Sequence, residues 1–204
     1  MARIDTLSKE DLPYLADYFE ESERTRGFVA NFLLTIGYRP EIADAVHNLF
    51  LAIQPHGTPE NPVGTVPMEL KNLVAQVCSR AAGCQYCSTH TAAASQITGV
   101  AKEKVEDLWN YETSDLFSDA ERAALRVAQC AGQVPNAVED EDFVELKKYY
   151  SNEQIVEIVA VIAFFGFLNR FNDTMNLDIE TPAANTGAPL LEGGNLGDWP
   201  RTAK

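Results

Sequence analysis

From Ile155 to Phe171 the chain is apolar on nearly every face of a helix. A helix of that kind has to lie at the centre of a fold or beneath another subunit. Its longest uninterrupted apolar run, Ile158–Leu168 with Gly166 inside it, is 11 residues. A bilayer crossing takes roughly 18 to 20, so the segment reads as a core helix of an all-α protein. The rest of the sequence agrees: helical periodicity dominates, and no run alternates with period two between turn residues. With 204 residues, 46% of them hydrophobic and 23% charged, the chain can bury a core of its own as one domain. That domain is predicted to span residues 1–177, with an extended, irregular C-terminal tail over 178–204 that wraps a neighbour through Leu190, Leu191 and Trp199.

Ser8 is placed to cap a helix running to about Glu23, with Leu12, Leu15 and Phe19 on one face. A second apolar stretch, Phe28–Ile36, stops at Gly37. Pro40 opens a third helix to Ile53 that is predicted to carry Ile42, Val46, Leu49, Phe50 and Ile53 inward. Residues 54–67 hold four prolines and two glycines, with His56 among them, and read as a long loop of the sort that lies over a site. Helices are then predicted over Met68–Ala82, Cys84–Ile97, Ala101–Tyr111, Ser118–Gly132, Asp140–Tyr150 and Asn152–Met175. Ser118-Asp-Ala-Glu121 matches a capping box.

Lys and Arg number 16 against 30 Asp and Glu, a net charge of −14. Such a surface repels phosphate backbones and anionic lipid headgroups, which argues against nucleic-acid and membrane partners. The first residues contain no apolar stretch of the secretory kind, so the expected address is the cytoplasm, where thiols stay reduced. Four cysteines are therefore expected to be free, catalytic or metal-bound.

The chemistry concentrates in Gly83-Cys84-Gln85-Tyr86-Cys87-Ser88-Thr89-His90. Two cysteines three residues apart at a helix start bring their sulfurs within disulfide reach, and the unpaired amides of the first turn stabilise a thiolate. His90 follows on the same side as a proton acceptor or relay. The pattern points to thiol redox: a thiolate attacks an O–O bond, a sulfenic acid forms, and the second thiol condenses with it. Zinc needs two ligand pairs, and Cys78, Cys130, His47 and His56 offer no second pair at recognisable spacing. Neither metal nor cofactor is expected. Cys78 and Cys130 read as core residues. Asn169, Arg170, Asn172 and Asp173 read as a buried interface network in which Arg170 and Asp173 pair.

The stretch Leu70–Ala94, with its Ala-Ala-Gly-Cys-x-Tyr-Cys-x-x-His core, resembles the carboxymuconolactone decarboxylase superfamily in its AhpD-like alkylhydroperoxidase branch. Fainter likeness runs through Leu116–Leu125 and Glu157–Asp173. The resemblance implies an all-helical AhpD-like fold assembled as dimers, trimers or hexamers. It implies that Cys87 attacks the peroxide and Cys84 resolves it, and that a dithiol partner, lipoyl-bearing or thioredoxin-like, reduces the disulfide. The family's commonest pattern sets the histidine four residues after the second cysteine, against three here. Its relay glutamate corresponds to Asn72, and Glu69, one turn upstream, is the nearest carboxylate to replace it. The function predicted is that of a thiol-dependent hydroperoxide reductase. The alternatives are a cofactorless decarboxylase or lactone-processing enzyme on the same scaffold, and a non-enzymatic redox sensor.

Overall fold

A computed structural model describes residues 2–54 and 64–191. It contains α1 (Ala16–Arg26), α2 (Asn31–Ile36), α3 (Pro40–Ile53), α4 (Met68–Ala81), α5 (Gln85–Ile97), α6 (Lys102–Glu106), α7 (Asp119–Ala131), α8 (Asp140–Leu146), α9 (Asn152–Met175) and α10 (Thr181–Leu191). No strand occurs among the described residues, so the fold is all-α. His56 and Trp199 lie outside them.

Helix α4 is the hub: it packs against α5, α7 and α9, and Leu73, Val74, Ala75 and Val77 on it are almost wholly shielded. Each such leucine or valine contributes about 1.5–3 kcal/mol through burial. Helix α5 lies against α4, α9 and α10, although its sequence is rich in Ser and Thr. Its hydroxyls are satisfied locally: Ser88 donates to the Cys84 carbonyl at 2.9 Å, Thr91 to Cys87 at 2.8 Å and Ser95 to Thr91 at 3.0 Å. A polar but small-residue helix can thereby occupy the interior without stranded donors.

The capping box of α7 forms, the Glu121 amide donating to Ser118 Oγ at 3.3 Å and the Ser118 amide to Glu121 Oε2 at 2.9 Å. Helix α9 is capped likewise by Ser151 and Gln154 and ends at Asn176 in the left-handed region. Its 24 residues are long and apolar enough, by length and composition, to cross a membrane. Its packing against α3, α4, α5 and α7 accounts for that apolarity within the fold. One stripe of it, Val156, Val159 and Phe167, remains exposed.

Three expectations need correction. The segment after Ser8 is not one helix: Pro13 has no amide to give, and the chain forms 3₁₀ turns at Lys9–Asp11 and Pro13–Leu15 before α1 begins. In α3, Ile42 and Leu49 are exposed, while Ala43 and Ile53 are the buried positions, because the helix turns one of its two apolar flanks to the core. The tail is not extended throughout. Residues 181–191 form α10, with Pro182 in its first turn and Ala183, Gly187, Leu190 and Leu191 buried. This helix lies on α5 of its own chain. A Cβ at Gly187 would come 2.1 Å from the Thr89 carbonyl oxygen, so the approach requires glycine. Among the polar insertions of α9, Asn169 and Asn172 are buried, whereas Arg170 is exposed.

Candidate active site

The turn between α4 and α5 passes through Gly83 at φ 75°, which delivers Cys84 in an extended conformation as the N-cap of α5. In place of the usual hydroxyl or carboxylate, a sulfur caps the helix: the Cys87 amide donates to Cys84 Sγ at 3.4 Å. Hydrogen bonding from the Cys87 thiol, joined by the Cys87 and Tyr86 amides, holds the Cys84 thiol below its ordinary value. Burial, and the neighbouring Cys84 charge, push Cys87 well above it. Burial likewise raises Cys78 to about 12. Of the two thiols, Cys84 is therefore the one whose surroundings favour the charged form. Asn172, on α9, donates through Nδ2 to Cys87 Sγ at 3.2 Å and is the group that favours charge on Cys87.

Cys87, not Cys84, lines a cavity of about 120 Å³ walled by Phe32, Leu33, Phe50, Phe164, Phe165 and Leu168. That volume is close to the roughly 150 Å³ that takes up one benzene ring in an engineered apolar cavity. His90 lines the same space. Its ring is clamped, stacked on Tyr86 with centroids 4.2 Å apart and edge-on to Phe28 at 5.5 Å.

His90 Nε2 meets Glu180 Oε2 at 2.7 Å. Glu180, just ahead of α10, also receives the Tyr86 hydroxyl at Oε1 at 2.8 Å and the Asn31 amide. Burial would raise this carboxylate, but His90 and the Asn31 amide bring it below the ordinary range. Tyr86 in turn accepts the Phe32 amide at 3.3 Å, and burial beside Glu180 raises its hydroxyl. One carboxylate thus ties α2, α5 and the C-terminal segment together around the imidazole.

Of the residues singled out from the sequence, Cys84, Cys87 and His90 are brought together. Glu69 is not: it is exposed in the first turn of α4, where a negative charge suits the helix dipole. Asn72 does line the cavity, its Nδ2 donating to Thr98 Oγ1 at 3.0 Å. The carboxylate beside the histidine is Glu180, which the sequence reading missed. Pro182 in a first helical turn was the available signal for α10. Asn172, read as part of an interface network, touches the sulfur instead. Cys78 and Cys130 are buried core residues. Among the described residues no three His, Cys, Asp or Glu side chains are grouped as a metal ion would require.

The sequence model of the carboxymuconolactone decarboxylase family matches residues 51–129. The debrominase Bmp8 is 37% identical to this chain, over 91% of it and 96% of Bmp8, with a TM-score of 0.82. The chain belongs to the carboxymuconolactone decarboxylase family. A cysteine-to-alanine variant of Bmp8, similar at 35% identity and TM-score 0.84 over 93% of this chain and all of that one, is known in complex with 2,3,4-tribromopyrrole. The AhpD-like fold of this family member recurs in an alkylhydroperoxidase AhpD core, a peroxidase-related protein from Ralstonia eutropha JMP134, at 22% identity and TM-score 0.74 over 91% of this chain and 96% of that one. The uncharacterized protein YnjA of Escherichia coli (strain K12) is 30% identical over 105 residues, 51% of this chain and 55% of that one. The family member here thus spans little more than half of that curated relative.

Proposed function

We propose that this chain is a dithiol-dependent reductase of small, single-ring electrophiles, with Cys87 as the attacking sulfur, Cys84 as the resolving one and His90 as the proton donor. The observation that carries the reading is that Cys87 alone of the pair lines the aromatic cavity, while the second sulfur stands directly behind it. As the substrate closes on Cys87, its thiol proton passes to Cys84. The Cys87 thiolate then takes the outer oxygen of a hydroperoxide, leaving an alkoxide that collects a proton from His90. Cys84 displaces hydroxide from the sulfenic acid, and its own proton completes a molecule of water. The sum is two thiols plus hydroperoxide giving a disulfide, an alcohol and water.

A second electrophile of the same size is supported by a specific observation, the 37% identity with a debrominase over nearly the whole chain. For an aryl bromide the balance is two thiols plus bromide-bearing ring giving a disulfide, the debrominated ring, bromide and a proton. In either case a dithiol, lipoyl-bearing or thioredoxin-like, restores the thiols. The exposed Val156, Val159 and Phe167 stripe of α9 is in this reading covered by a second copy of the chain.

The test is turnover of cumene hydroperoxide and of 2,3,4-tribromopyrrole with dithiothreitol, reading product, bromide and free thiols. Wild type is expected to turn over at least one of them and Cys87→Ser neither. Equal turnover by both proteins overturns the proposal. A decarboxylase would survive loss of both cysteines but not His90→Ala, and a sensor would form its disulfide once and stop.

A further inference from the structure

Among the polar side chains that line the cavity outside the sulfur pair and the His90 network are Arg26 at the end of α1, and His47 and Gln54 from α3 and its C-cap. Gln54 is 6% exposed, and its Nε2 has no hydrogen-bond partner among the described residues. The Arg26 guanidinium, partly buried, forms no hydrogen bond or ion pair with any described residue. In a chain with 30 acidic and 16 basic residues, carboxylates are in surplus, and an arginine that lines an apolar cavity and takes none is conspicuous. A buried donor without an acceptor costs about 1–3 kcal/mol, a cost that a ligand oxygen removes.

We infer that Arg26 and Gln54 form a subsite for an anionic substituent, a carboxylate in the first instance, on the aromatic ring that the cavity holds. A guanidinium matches a carboxylate with two parallel hydrogen bonds, and Gln54 supplies a third donor. Beside Cys87 the cavity wall carries Asn172, whose buried Oδ1 has no hydrogen-bond partner among the described residues and, as an acceptor, offers an anion nothing. His47, edge-on to Tyr18 at 4.7 Å, is the one further titratable side chain lining the cavity besides Tyr18, Tyr86, Cys87 and His90. The subsite holds a ring acid by its anionic substituent in the same cavity that Cys87 lines.

This assignment deepens the reading of the cavity as a substrate site, and a binding measurement without reductant separates the two. Calorimetric titration of reduced full-length protein with 3-bromobenzoate and with its methyl ester is the experiment. The acid is expected to bind at least about tenfold more tightly than the ester, the worth of one charge-assisted hydrogen bond. Arg26→Gln should cancel most of that preference and Gln54→Leu a few-fold part of it, with an unchanged circular dichroism spectrum in both as the control on folding. Equal binding of acid and ester, no binding of the acid, or a preference that survives Arg26→Gln overturns the inference. Failure of thiol turnover alongside an intact acid preference would sink the reductase reading and leave this subsite standing.

Discussion

The Lys71–Glu157 and His90–Glu180 pairs each set a carboxylate from the C-terminal third of the chain against a basic side chain on α4 or α5, and both are largely shielded. Side-chain exposure is 2% and 15% for the first pair, 17% and 9% for the second. They differ in what is left over. Lys71 also donates to the Ile53 carbonyl at 2.8 Å, and Glu157 Oε2 accepts the Thr65 amide and hydroxyl, both at 2.9 Å. That pair staples the chain near Ile53 and near Thr65 to the core. In the second pair Glu180 spends one oxygen on Tyr86 and Asn31 and the other on His90, whose ring still borders a cavity. The first pair ties down backbone at two separate points of the chain and acts as a structural fastener, whereas the second sets an imidazole against a cavity.

The largest effect expected from breaking this contrast is on stability. Lys71→Met strands the Glu157 carboxylate, at a cost of about 3–5 kcal/mol. That should lower the melting temperature by on the order of 10 °C for a domain of this size. Calorimetric melting checks it, and thiol turnover per folded molecule should not change. Glu180→Gln is expected to do the reverse, costing about 1 kcal/mol in stability while slowing turnover about tenfold to a hundredfold through loss of the positioned proton. Steady-state kinetics beside a denaturant titration would expose a merely structural role as equal losses in both.

Acid sharpens the comparison further. Glu157 and Glu180 both lie below the ordinary 4.5, so each adds stability above that pH that disappears as pH falls through its folded value. The denaturant midpoints of wild type and of Glu157→Gln or Glu180→Gln should therefore differ by a constant amount near neutrality and converge below pH 4.5. A difference that persists undiminished to about pH 3 would show that neither carboxylate titrates as a partner of its cation. The smallest effect concerns the sulfur pair. Cys87→Ala removes the thiol that hydrogen-bonds Cys84, so the Cys84 thiolate absorbance should titrate at higher pH than in wild type. An unchanged titration would mean that the helix start alone holds the charge.

Much of this was legible in the sequence where the information is local. The bounds of α9 and the capping box of α7 follow from residues a few positions apart, as does the meeting of Cys84 and Cys87 at a helix start. The misreadings have local causes too. Pro13 was given too little weight inside an amphipathic pattern, and α3 offers two apolar flanks between which periodicity does not choose. The glycines and prolines after Leu177 hid the apolar spacing of Ala183, Gly187, Leu190 and Leu191. Glu69 was taken as the relay carboxylate because it is near Asn72 along the chain, yet nearness on a helix does not place a side chain in a cavity.

Composition, period and spacing alone determined that the chain is helical, that α9 belongs in its middle, and that two sulfurs and an imidazole gather at the start of α5, since each rests on contacts within a few residues. Only tertiary packing decided which sulfur lines the cavity, which carboxylate stands by His90 and which amide touches Cys87. Those partners come from far along the chain: Asn172 is 85 residues from Cys87, and Glu180 is 94 from Tyr86. Contacts at such separation are set by how α5, α9 and α10 fit around one another, and no periodicity in the sequence records that fit.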